Sequence, residues 1–129
     1  LPKQVQQYSP VVDGQLIDAS LRRRLLNHQI AFTAQRLTQK RVIEETAASA
    51  PGFASSAVKL SNALITQEGD EILVAAMGTQ GIGWGATGFQ TEELDATRDW
   101  LKQKSLTIAG GTKEVQLNII AKRVLGLPD

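Results

Sequence analysis

The chain has 129 residues, 42% of them apolar and 21% charged, with a net charge of +1 and no cysteine. Length and composition fit one soluble globular domain and exclude a disordered or low-complexity class. The near-zero charge removes the electrostatic case for nucleic acid or an anionic membrane as partner, and the missing thiols exclude disulfides and thiolate metal sites.

Residues 1–15 contain two prolines and the pair Asp13-Gly14 and show no sustained period. They are expected to form an irregular leader with a turn near the glycine, ahead of a helical domain spanning 16–129. Asp18 is placed to cap a first helix, in which Leu21, Leu25, Leu26, Ile30, Ala34 and Leu37 recur at three- and four-residue steps to about Ala48. Within it, Arg22, Arg23 and Arg24 read most simply as a solvated face, with a phosphate contact as the alternative, and His28, the only histidine, has no acid at i+3 or i+4 to suggest a metal site.

"SAPGFASS" interrupts that helix, since proline removes a donor and glycine loosens the backbone. A second helix follows, with an apolar face from Ala54 and Ala57 through Leu64 and Ile72 to Met77, and with Gly69 as an internal weak point. The glycine-dense "GTQGIGWGATGF" cannot continue it and is expected to be a folded loop, whose glycines either serve sharp turns or let a cofactor come close to backbone; Trp84 and Trp100 read as packing anchors beside it rather than as a ligand cage. A short helix is expected from about Glu92 to Lys104, and a last one from Lys113 to about Val124, ended by Gly126 and Pro128. No segment shows strand alternation, so the fold class is an all-α antiparallel bundle.

Between the last two helices lies "TIAGGTKEVQ". Gly110 and Gly111 permit a tight bend, and Thr112 can accept a hydrogen bond from an amide of the following first turn. Residue types leave two uses open: a structural cap, or a turn that receives a polar ligand. No triad, P-loop or dinucleotide fingerprint is present.

"TIAGGTKEVQLNIIAKRVLGLPD" closely resembles the C-terminal signature of the flavin-dependent acyl-CoA dehydrogenases. "SSAVKL" leading to "MGTQG", and "DASLRRRLL", are similar to earlier bundle helices of that family. The resemblance implies part of a C-terminal four-helix bundle, with FAD as cofactor, acyl-CoA as substrate of the complete enzyme, a dimer or tetramer of like or unlike subunits and an electron-transfer partner; the missing cysteines permit a reducing, cytoplasmic setting. It also implies that the bundle's opening helix and two further domains have no counterpart here, as the start "LPKQ" without methionine would fit.

The family's reaction needs a carboxylate to remove an α-proton while hydride leaves Cβ. By the resemblance, Gly110 stands where many members carry that glutamate. Members with a small residue there hold the base on the opening helix. No residue of this chain is therefore assigned as catalytic. Thr112 and Glu114 match positions along FAD, and Gly78, Thr79 and Gly81 match a loop approaching the cofactor of a neighbouring subunit. Ala75 replaces a glutamine often found before that loop. Two other readings stay open: a non-catalytic partner subunit completing another subunit's flavin site, and a free-standing helical interaction module.

Overall fold

The computed structural model describes residues 1–48, 55–85 and 87–128. Among the described residues the fold is all-α apart from one hairpin of two two-residue strands. In order it forms α1 (Pro2–Tyr8), β1 (Val11–Val12), β2 (Gln15–Leu16), α2 (Ala19–Ala47), α3 (Ser55–Met77), a 3-10 turn (Gly78–Ile82), α4 (Thr91–Gln103), a second 3-10 turn (Lys104–Thr107) and α5 (Lys113–Ile119) running into a π-helical turn (Ile120–Val124). The break expected at "SAPGFASS" lies mostly outside the described residues.

Two compact units divide these elements: Leu1–Ile30 with Thr66–Lys104, and Ala31–Ile65 with Ser105–Asp129. In the first unit the segment expected to be an irregular leader is ordered. Pro2 occupies the first turn of α1, where its missing N–H costs nothing. Seven residues are too few to hold a helix in water, so α1 depends on tertiary burial. Val5 supplies it, fully buried in a cluster with Leu16, Leu21, Leu25, Ile72 and Ala76. Asp13 and Gly14, both at positive φ (49° and 75°), make the tight turn that pairs β1 with β2, Val12 opposite Gln15. That hairpin carries Leu16 into the core.

Asp18 caps α2 as the sequence suggested: its Oδ1 accepts from the amides of Ser20 (2.8 Å) and Leu21 (2.9 Å). The arginine run is not simply a solvated face. Arg22 donates to the Leu16 carbonyl at 2.7 Å, tying α2 to the hairpin, and Arg24 reaches Glu68 of α3 at 3.0 Å. Gly69, expected to be only a weak point, is buried; a Cβ there would lie 2.9 Å from His28 Nε2. Helix propensity records the cost of that glycine, whereas the ring packed on it supplies the reason for it.

The second unit is built differently. Among its described residues Ala63 is the buried apolar side chain, while Leu37, Ile43, Leu64, Ile108, Val115 and Leu117 are exposed. Its buried side chains also include two glutamines, Gln35 and Gln116. Gln35 Nε2 donates to the Val58 carbonyl at 2.9 Å, and its Oε1 accepts from Ser61, joining α2 to α3 in this unit. The final helix also departs from expectation. It is α-helical only to Ile119, after which Leu125 N bonds to Ile120 O in the wider π pattern at 3.0 Å. Gly126 at φ 65° then turns the chain, and Leu127 N donates to Ala121 O at 2.9 Å.

Candidate flavin-side turns

The turn that leads into α5 lies in the second unit. Ile108 N and Ala109 N both donate to Ser105 O, at 3.0 and 2.9 Å, and Gly111 N donates to Ile108 O at 3.2 Å. Gly110 and Gly111 then take φ of 70° and 103°, values that an L side chain rarely adopts. Their carbonyls do not go unpaired. Gln116 Nε2 donates to Gly110 O at 2.9 Å, and the Lys59 ammonium, from α3, donates to Gly111 O. Thr112 closes the turn as the cap of α5, its hydroxyl accepting from Val115 N at 3.4 Å.

The two glycines are not equivalent. A Cβ on Gly111 would lie 2.8 Å from Gln116 Nε2, so the chain itself fills that space. At Gly110 a Cβ would meet Lys59 Cε at 3.7 Å, an ordinary van der Waals distance, so there is room for it without a clash. Glu114 stands in the first turn of α5, fully exposed. Its carboxyl titrates below the usual glutamate range, first because its own backbone N–H donates to it, then because the Thr112 side chain does.

The glycine-dense segment belongs to the first unit. Its first part is not loop: Gly78, at φ 57°, ends α3 and starts the 3-10 turn. Gly78 and Thr79 are exposed, and nothing stands within 4 Å of where a Cβ on Gly78 would lie. Gly81 is buried. A Cβ on it would come within 2.6 Å of the Val74 carbonyl, so the turn folds directly against the last turn of α3. The Thr97 hydroxyl of α4 lies 3.1 Å from both the Gly81 and the Glu93 carbonyls, anchoring the segment. Ala75 is exposed on α3.

Beyond the turn, a Cβ on Gly83 would meet the Phe89 ring at 2.6 Å, and a capping box between Gln90 and Glu93 starts α4, with Gln90 N to Glu93 Oε2 at 2.8 Å. Trp84 is not a packing anchor. It is 62% exposed, with the Arg98 guanidinium 6.0 Å from its ring centre. Trp100 is half-buried as expected.

The sequence-assigned residues thus fall in two groups, Gly78, Thr79 and Gly81 in one unit and Thr112 and Glu114 in the other. Within each group the geometry separates open positions from tightly packed ones. The family model described as acyl-CoA dehydrogenase, C-terminal domain, matches residues 4–125. The chain belongs to the acyl-CoA dehydrogenase C-terminal domain family. No curated protein and no solved structure matches it. The matched range begins within α1 and takes in the hairpin.

Sequence reasoning missed Gln116 and Lys59. Both are half or fully buried and hold the backbone of the 110–112 turn. The signal for Gln116 was a polar residue on the apolar stripe of the last helix, between Val115 and Ile119. Lys59 had none, since its partner is 52 residues away in the chain. Among the described residues no cluster of histidines or acids is arranged for a metal ion, and no helix is long and apolar enough to cross a membrane.

Proposed function

We propose that this domain contributes one wall of the flavin site in an acyl-CoA dehydrogenase that desaturates an acyl-CoA thioester between Cα and Cβ, and that it also contributes to the subunit interface. The observation that supports the reading is the uncrowded position at Gly110. In a turn pinned by Gln116 and Lys59 and capped by Thr112, a Cβ on that glycine would meet only the Lys59 side chain, at an ordinary contact distance of 3.7 Å. A ligand that must approach backbone needs such a position.

In this proposal Thr112 and Glu114 lie along FAD, and Gly78 and Thr79, exposed and unobstructed, approach a neighbouring subunit's FAD. Gly81 acts through the fold, by seating the 3-10 turn on α3. Bound FAD supplies the acceptor for the hydride leaving Cβ. This chain's part is to hold that cofactor and leave room beside it. It supplies no base, because Gly110 has no titratable group, and the α-proton is taken by a carboxylate on another part of the complete subunit.

The test joins the chain to the rest of its parent subunit, or to its partner, and follows flavin absorbance and dye reduction with a panel of acyl-CoA thioesters. The complete assembly is expected to be yellow and to turn over, and the 129 residues alone to do neither. Retained flavin without turnover would assign the chain to a non-catalytic partner subunit. Turnover by the isolated chain would overturn the proposal, as would a complete assembly without flavin. Within that assembly Thr112→Val is expected to weaken FAD retention by about 1 kcal/mol, the typical net value of one hydrogen bond.

A further inference from the structure

Outside the two turns, the first unit buries a carboxylate oxygen without giving it a donor. Asp70 sits on α3 beside Gly69, and its Oδ2 is shielded from solvent and has no hydrogen-bond partner. A charged oxygen in that state forfeits its hydration with nothing in return, whereas a neutral carboxyl forfeits far less.

The surrounding charges do not supply the missing donor. From α4, Asp99 faces Asp70 with like charge; from the 3-10 turn after it, Lys104 provides attraction; from α2, His28 does the same. Lys104 is divided among other partners, since its ammonium pairs with Glu71 and lies 5.4 Å from the centre of the Trp100 ring. Arg24, the other cation on this side of α2, is engaged by Glu68 at 3.0 Å and by Glu71 at 3.8 Å. A second buried polar atom, Trp100 Nε1 on α4, also lacks a partner.

The seam where α4 meets α3 is otherwise well tied. Gln67 Nε2 donates to Gln103 O at 2.9 Å and to Lys104 O at 3.3 Å, and the Lys104–Glu71 pair closes the same end. Half-buried Asp70 is the carboxylate of this seam that has a shielded oxygen without a donor.

We infer that Asp70 is a proton-operated latch: α4 closes fully on α3 when Asp70 Oδ2 carries a proton taken from solvent, and loosens when that proton is released to leave two facing carboxylates, Asp70 and Asp99. Burial first, and the Asp99 charge second, hold the Asp70 carboxyl above the ordinary aspartate range, with Lys104 and His28 offsetting part of the effect. The sign follows. With the folded-state value raised, the latch's contribution to stability is complete below the unfolded value of about 4. It is lost as pH rises through the higher folded value.

The experiment uses the full chain. Hydrogen exchange at the α4 amides, corrected for the intrinsic pH dependence of exchange, is followed from about pH 4 to neutrality, together with a carboxyl-carbon NMR titration of Asp70. Protection of α4 is expected to fall as pH rises, in step with the Asp70 titration. Asp70→Asn, neutral and of the same shape, should remove that slope and keep the high protection at every pH. Asp99→Asn should move the slope to lower pH. An Asp70 that titrates in the ordinary range would overturn the latch, as would an unchanged slope in Asp70→Asn. If Asp70→Asn fails to fold, the NMR titration and the Asp99→Asn shift decide the matter by themselves.

Discussion

Gln116 reaches back six residues to donate to the carbonyl of Gly110 at 2.9 Å, and the same amide nitrogen stands where a Cβ on Gly111 would have to go. One buried side chain therefore enforces two properties of the turn, the satisfied carbonyl at 110 and the glycine at 111. Gln116→Leu is expected to leave that carbonyl without its donor, costing about 1–3 kcal/mol. Gly111→Ala should cost at least as much, because it adds a clash to an unfavourable φ. Urea unfolding of the second unit, followed by hydrogen exchange in α5, checks both. Equal protection in wild type and Gln116→Leu would show that the bond does not hold the turn.

Gly78 and Gly81 stand in one 3-10 turn and should respond differently to alanine. At Gly78 the φ of 57° is the obstacle and space is free, so the cost should be about 1–2 kcal/mol, that of a left-handed alanine. At Gly81 the Val74 carbonyl at 2.6 Å cannot move without unwinding the end of α3. Gly81→Ala is therefore expected to be the more damaging, with a larger loss in thermal midpoint by circular dichroism. The reverse order would refute the packing of this turn on α3.

Glu114 links the turn to pH. Its folded-state value is depressed by its own backbone N–H first and Thr112 second, so the stability it contributes is present above its unfolded value and is lost as pH falls through the folded one. Thr112→Val removes the second cause and leaves the first. The Glu114 titration, read by NMR, should then move part of the way back toward the ordinary glutamate range. A titration unmoved by the substitution would remove Thr112 from the account.

Ile72 is fully buried in the first unit's apolar cluster, against residues from α1, the hairpin and α2. Ile72→Ala is expected to cost about 2–5 kcal/mol and to release α1, whose seven residues have little stability of their own. Exchange of the α1 amides in step with global unfolding in wild type, and ahead of it in the variant, would bear this out. Among its described residues the second unit has no comparable cluster, and its exposed leucines and isoleucines should favour self-association, which sedimentation at rising concentration would detect.

Local chemistry made several of these features readable from the sequence by itself. Asp18 and Thr112 cap the helices they precede because a cap needs only an oxygen two or three residues before an amide. The all-α class followed from apolar steps of three and four, and the family from a tail whose residues are contiguous. What tertiary structure decided has a common cause, contact between residues far apart in the chain. Pro2–Tyr8 is held as a helix by burial of Val5 in a cluster with Ile72, a Cβ on Gly69 would press on the His28 ring, and a Cβ on Gly83 would meet the ring of Phe89. The same holds at the candidate site: Gly110 and Gly111 read alike as neighbours in a turn, and only Lys59 and Gln116, packed at different distances from them, leave room for a Cβ at one position and deny it at the other. Periodicity and capping report interactions within a few residues, whereas the space beside a glycine is set by whatever the fold brings to it.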